Sequence, residues 1–298
     1  LAEEIGHLFT SYSALTPAQK RSPDRLNGSD LERLERVRAG VDLRGPSTSH
    51  GIDELGAAIA QDASWLRPAS REIWTNAKFN LENGRPGFYF RPILLVGRPG
   101  TGKSHLAREL ADRAGLPTTS IDGGGGRAGF GIAGVQRGYA TGMAGRPLEL
   151  ILDSRVGNPI VVVDEVDKIG NSNPSDAGTL TTALLSLLEP VSARAWECPY
   201  FRVSFDMSHI SWILTANDES QVPEALLSRC CVIRIETPSH DELMQFAKLE
   251  LARRGLGDED FQALSCLMAA HPQKHRNLRT VTRHLDDLEA ITRLPVFH

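Results

Sequence analysis

Gly97-Arg98-Pro99-Gly100-Thr101-Gly102-Lys103-Ser104 is a complete G-x-x-x-x-G-K-S loop, and it follows the apolar run Pro92-Ile93-Leu94-Leu95-Val96. This pattern predicts a nucleoside triphosphate site. Glycines let backbone N–H groups turn inward on phosphates, Lys103 reaches the β and γ oxygens, and the Ser104 hydroxyl can ligate Mg²⁺. Pro99, Thr101 and His105 lie in or beside this loop and join Gly97, Gly100, Gly102, Lys103 and Ser104 as nucleotide-binding candidates. After the loop, Leu106, Ala107, Leu110, Ala111 and Ala114 recur at helical spacing, and Gly115 stands where a C-terminal cap belongs. The phosphates are thus expected on a helix N-terminus.

A second constellation follows at Pro159-Ile160-Val161-Val162-Val163-Asp164-Glu165, a buried-strand run that ends in two acids. A carboxylate at the C-terminal end of a strand can hold Mg²⁺ beside a phosphate loop, which makes Asp164 a metal candidate with Ser104. The next acid, Glu165, can polarise a water for in-line attack on the γ-phosphate.

Composition bounds the remaining possibilities. The 298 residues suffice for one large or two modest domains, and 33 basic against 37 acidic residues leave a formal charge of −4. The charges are interspersed, so neither a duplex-DNA footprint nor a membrane-surface patch is expected. No apolar run approaches the roughly 18 residues of a membrane span, and no signal-peptide pattern opens the chain, so the sequence reads as soluble and cytoplasmic. Cys198, Cys230, Cys231 and Cys266 lack paired C-x-x-C spacing and read as reduced and structural. His271 and His275 stand four apart, but Pro272 interrupts them, and they read as solvated loop residues.

Along the chain, residues 1–51 read as an accessory segment. Ser29-Asp30-Leu31-Glu32 has a capping-box pattern, Leu31, Leu34 and Val37 mark a short amphipathic helix closed by Gly40, and Gly45 to Gly51 reads as a linker. Residues 52–237 would form the α/β nucleotide-binding domain. Apolar runs at Thr118 to Ile121, Ile160 to Val163, Ile210 to Thr215 and Cys231 to Ile235 alternate with helical stretches, which predicts a parallel sheet covered by helices. Residues 238–298 show helices without strands, the pattern of a small α-helical domain.

Taken together, the two motifs, Ile213-Leu214-Thr215-Ala216-Asn217 and Pro223-Glu224-Ala225-Leu226-Leu227-Ser228-Arg229 resemble an AAA+ ATPase. Within that family the closest resemblance is to the ATPase module of Lon proteases. It is carried by Gln136 to Pro147, by Val163-Asp164-Glu165-Val166-Asp167-Lys168-Ile169, and by Tyr200 to Ser208. The resemblance implies a P-loop AAA+ domain followed by a helical lid, ATP and Mg²⁺ as ligands, and a homo-oligomeric ring, a hexamer, acting on a protein client. Asn217 takes the sensor-1 place, Arg229 that of an arginine finger serving the neighbouring subunit, and Arg279 that of sensor 2, although the family's usual glycine before that arginine is missing. Tyr139 falls at the pore-loop aromatic, in a stretch from Gly123 to Gly145 whose many glycines predict a mobile loop. Lon proteases continue into a peptidase domain with a Ser/Lys dyad, for which these residues leave no span. Gly170 to Asp176 also lacks the basic and aromatic character often seen in that family's second pore loop.

Two other functions remain open. Ser228-Arg229-Cys230 also looks like the Ser-Arg-Cys motif of clamp loaders, which act on nucleic acid, although the charge balance and the Tyr139 loop argue against it. A nucleotide-switched scaffold would need neither Glu165 nor Arg229.

Overall fold

The computed structural model describes residues 26–125, 128–139, 141–169 and 174–293. Helices α1 (Gly28–Arg36), α2 (Ser49–Asp62) and α3 (Arg67–Glu82) precede β1 (Ile93–Val96), α4 (Lys103–Ala114) and β2 (Thr118–Asp122). A short α5 (Ala128–Ala133) leads into a hairpin of β3 (Gly134–Val135) and β4 (Met143–Ala144), then α6 (Arg146–Ser154) and β5 (Ile160–Asp164). Helices α7 (Pro174–Leu188) and α8 (Pro190–Ala193) precede a second hairpin, β6 (Trp196–Glu197) with β7 (Ser204–Phe205). The chain continues through β8 (Ser211–Ala216), α9 (Glu224–Leu227) and β9 (Cys231–Arg234). It closes with α10 (His240–Arg254), α11 (Asp258–Ala270) and α12 (Leu278–Arg293).

Five strands form one parallel sheet in the order β2-β5-β8-β1-β9. Alternation along each strand divides their side chains between two cores. Ile93, Leu95, Ile160, Val162, Ile213 and Ile233 face α2, α3, α4 and the C-terminal helices, whereas Leu94, Val96, Val161, Val163 and Leu214 face α1, α5, α6 and α7. Burial on both faces explains why the inner strands β1, β5 and β8 are largely continuous apolar runs rather than alternating ones. From β1 the chain crosses through α4 to β2 at the far edge, while β9 joins on the other side of β1. The phosphate loop therefore opens at a topological switch point, where open α/β sheets leave a crevice beyond their strand ends.

Three local expectations change. The N-cap of α1 is Asn27 rather than Ser29: its Oδ1 accepts the Asp30 N–H at 2.7 Å, because an amide two residues earlier already reaches that free donor. Leu34 and Val37 are buried and Leu31 is left at the surface. The helix docks on α6 through Arg33, which donates to Glu149 at 2.5 Å and Asp153 at 2.8 Å, while the Tyr200 hydroxyl donates to Asp30 at 2.7 Å. In the expected linker, α2 already begins at Ser49, capped by the Thr48 hydroxyl. Just before it the chain is clamped by Asn158, whose amide bonds Arg44 and Phe88 backbone groups.

Within the glycine-rich stretch, Ala128–Ala133 form α5 and Gly134–Val135 pair with Met143–Ala144, so the connection that carries Tyr139 is held at both ends by a short hairpin. A Cβ on Gly134 would lie 2.5 Å from the Met143 carbonyl oxygen, and one on Gly145 only 1.9 Å from that of Ile132. These glycines serve close backbone approach rather than mobility. Among the described residues, no helix is long and apolar enough to cross a membrane.

Candidate nucleotide site

The strand-to-helix turn after β1 needs backbone conformations that side chains resist, and glycine supplies them: Gly100 has φ +80° and Gly102 φ +92°. Space is also short. A Cβ on Gly97 would stand 2.6 Å from the Ile235 carbonyl oxygen, and one on Gly102 2.8 Å from Leu278. The loop is braced from outside by Trp65, whose indole N–H donates to the Thr101 carbonyl at 2.8 Å, and by α12, whose Leu278 N–H donates to the Gly100 carbonyl at 3.0 Å. The Thr101 hydroxyl closes the turn on the Arg98 carbonyl at 2.9 Å.

Lys103 begins α4 and is buried. Its ammonium donates to the carbonyls of Gly97 (2.5 Å) and Arg98 (3.1 Å) and to Asn217 Oδ1 (3.1 Å). Desolvation pushes its pKa down, opposed by the nearby carboxylates of Asp167, Asp164 and Glu165. Three hydroxyls converge on Asp164: Ser104 and Ser120 donate at 2.7 Å each and Thr215 at 3.0 Å. The pairing of Ser104 with Asp164 sets two oxygen donors side by side, a set suited to Mg²⁺. Glu165 has φ +58°, its N–H is held by the Thr215 hydroxyl at 3.1 Å, and its carboxylate accepts from Lys168 at 2.5 Å, which raises the lysine's pKa.

Pro99, Gly100, Gly102, Lys103, Ser104, His105, Asp164, Glu165, Asn217 and Arg279 line one cleft of about 690 Å³ between the strand ends and α12. Gly97 and Thr101 shape the loop from behind it. The His105 ring turns away and packs edge-on against Phe246 of α10, where burial lowers its pKa. Arg229 and Tyr139 lie outside the cleft. Arg229 follows α9, donating to the Ala225 carbonyl at 3.1 Å with Glu189 3.8 Å away. Tyr139 sits in the β3–β4 hairpin turn and is 69% exposed.

A family model described as "ATPase family associated with various cellular activities (AAA)" matches residues 93–238, from β1 to just past β9. Residues 93–238 form an AAA ATPase domain. The chain is 36% identical over 159 residues to Lon protease 2 of Hydrogenovibrio crunogenus, covering 53% of this chain and 18% of that one. It is 35% identical over 173 residues to the Lon protease of Mycoplasma genitalium (58% and 21%) and 37% identical over 164 residues to that of Syntrophus aciditrophicus (55% and 20%). The match thus spans about a fifth of the length of these curated relatives.

Sequence reasoning missed several features of the cleft and its surroundings. Thr215 is buried and holds both Asp164 and Glu165; a threonine inside an apolar strand was its only trace. Arg108, Asp122, Thr282, Arg283 and Asp286 also line the cleft but carry no motif. His271 meets His284 rather than His275, with their Nε2 atoms 2.9 Å apart. Residues 170–173 of the expected second pore loop lie outside the described residues.

Proposed function

We propose that this chain is the motor part of a homo-oligomeric, hexameric ring that hydrolyses ATP with Mg²⁺ to remodel or unfold a protein client in the cytoplasm. Lys103 and the loop N–H groups would hold the phosphates, and Ser104 and Asp164 the Mg²⁺. When bound, that ion supplies charge neutralisation at the β and γ oxygens. Glu165 acts as general base for the attacking water, with Asn217 placing it. Arg279, on the first turn of α12, brings a cation from the helical lid that we assign to residues 238–298. Arg229 stands apart from its own cleft, in keeping with service across a subunit interface. The unpaired cysteines fit a reducing compartment.

Tyr139 is the observation that carries the client assignment. A large aromatic that is 69% exposed at a hairpin tip has no core to stabilise, yet offers a flat apolar surface for an extended polypeptide. Met143 of β4 and Phe130 of α5 are exposed as well. The test is the stimulation of ATP turnover by an unfolded protein such as casein. Tyr139→Ala is expected to abolish most of that stimulation and Tyr139→Phe to keep it, because the ring does the gripping. Wild-type hydrolysis that ignores casein but rises with DNA would overturn the protein-client reading.

A further inference from the structure

Asp167 belongs to the 3-10 turn Val166–Lys168 just after the acid pair. It is buried, and it is not among the residues that line the cleft. Its Oδ2 accepts two backbone N–H groups, from Asn217 at 3.0 Å and Asp218 at 3.2 Å. Its Oδ1 is fully buried and has no hydrogen-bond partner. A buried carboxylate with one orphaned oxygen costs stability, so burial alone gives no reason for an acid here.

The two donors explain where the acid acts. Asn217 and Asp218 directly follow β8, where the sheet ladder ends and backbone N–H groups lose their strand partners. One carboxylate oxygen serves both, and so fixes the peptide from which the Asn217 side chain leaves the strand. That side chain reaches into the cleft, with its Oδ1 3.1 Å from Lys103 Nζ. The Asp167 carboxylate also lies within electrostatic reach of the Lys103 ammonium, as do those of Asp164 and Glu165. Asp167, Asn217 and Lys103 thus form a chain running from a buried anchor to the phosphate end of the site.

We propose that Asp167 is a positioning residue for ATP hydrolysis: by capping the Asn217 and Asp218 amides, it holds the Asn217 carboxamide in register with Lys103. This rests on the reading of the cleft as the hydrolytic site with Asn217 beside the attacking water. An amide oxygen at position 167 can accept the same two N–H groups, whereas a methyl group cannot.

The test measures kcat and KM for ATP, together with the Kd for MgADP, in the full chain and in Asp167→Ala, Asp167→Asn, Asn217→Ala and the Asp167→Ala/Asn217→Ala double variant. Asp167→Ala is expected to lower kcat by about 10- to 100-fold, the scale of a misplaced catalytic group. The Kd for MgADP should move by less than about threefold, and Asp167→Asn should stay within about threefold of wild type in kcat. The double variant should be no slower than Asn217→Ala alone, because the acid works only through that residue. Should the alanine variant fail to fold, Asp167→Ser, too short to reach the amides, takes its place. With an active wild type, additive losses, an Asp167→Asn variant as slow as Asp167→Ala, or an effect confined to nucleotide affinity would each overturn the proposal alone. A wild-type chain that binds ATP without hydrolysing it would overturn both the proposal and the reading beneath it.

Discussion

Removing the Asp62 carboxylate is expected to loosen the junction between the nucleotide-binding sheet and the C-terminal helices. Asp62 ends α2 with its side chain only 10% exposed, and it meets two arginines from different layers: Arg113 of α4 and, at 2.6 Å, Arg253 of α10. Its hydrogen bond is the leading cause raising the Arg253 pKa. Each charge-assisted hydrogen bond in a protected setting contributes about 1.5–3 kcal/mol. Arg113 and Arg253 are 28% and 39% exposed and can recover hydration, which pulls each bond toward the lower end of that range. Asp62→Ala should therefore cost about 2–4 kcal/mol, and Asp62→Asn, which keeps an acceptor, about half of that. Urea unfolding monitored by the buried tryptophans would read the loss. Repeating it at 1 M NaCl, where the Debye length is only about 3 Å, separates a protected junction from a surface ion pair. A loss under about 0.5 kcal/mol, or one that disappears in salt, would refute the claim that Asp62 ties these layers together.

Lys103→Ala should abolish ATP binding in a calorimetric titration, whereas Glu165→Gln should still bind ATP but release no phosphate; undiminished turnover in Glu165→Gln would remove it as the base. Arg229→Ala should slow turnover by about 10³-fold, roughly 4 kcal/mol of transition-state stabilisation. Mixing it with Glu165→Gln subunits should recover some activity, since some interfaces then pair an intact base with an intact finger, and no recovery in demonstrably mixed rings would count against service in trans. Stability should fall as pH drops below about 6.5, the unfolded histidine value, because burial lowers the pKa values of His105 and His209 and keeps them neutral in the folded chain while the unfolded chain takes up protons. Each contributes at most about 1.4 kcal/mol per pH unit, and His209→Phe, which keeps a ring against Tyr89, should flatten the slope of a thermal melt against pH.

Much of the site was legible along the chain, because a phosphate loop makes local demands. Only glycine tolerates the positive φ at positions 100 and 102, and the lysine and hydroxyl must follow at once at the start of α4. The acid pair was equally plain, since a run of β-branched residues buried on both faces must end where the sheet ends. The roles of Gly134 and Gly145 were not legible for a physical reason: composition cannot separate a glycine that frees the backbone from one that lets two backbones touch.

Chain order and residue type were enough to place a parallel sheet, the glycine turn between β1 and α4 and the two acids at the end of β5, for each rests on neighbours in sequence and on backbone geometry. Tertiary structure alone decided which groups answer one another across long separations. Tyr200 meets Asp30 and Arg253 meets Asp62 although the partners stand 170 and 191 positions apart in the chain. Asp167 caps amides 50 and 51 positions away, and Trp65 braces a loop 36 positions on. Such pairings depend on how layers stack and on which donors are left bare at strand and helix ends, and neither quantity is defined until the sheet has closed its two cores.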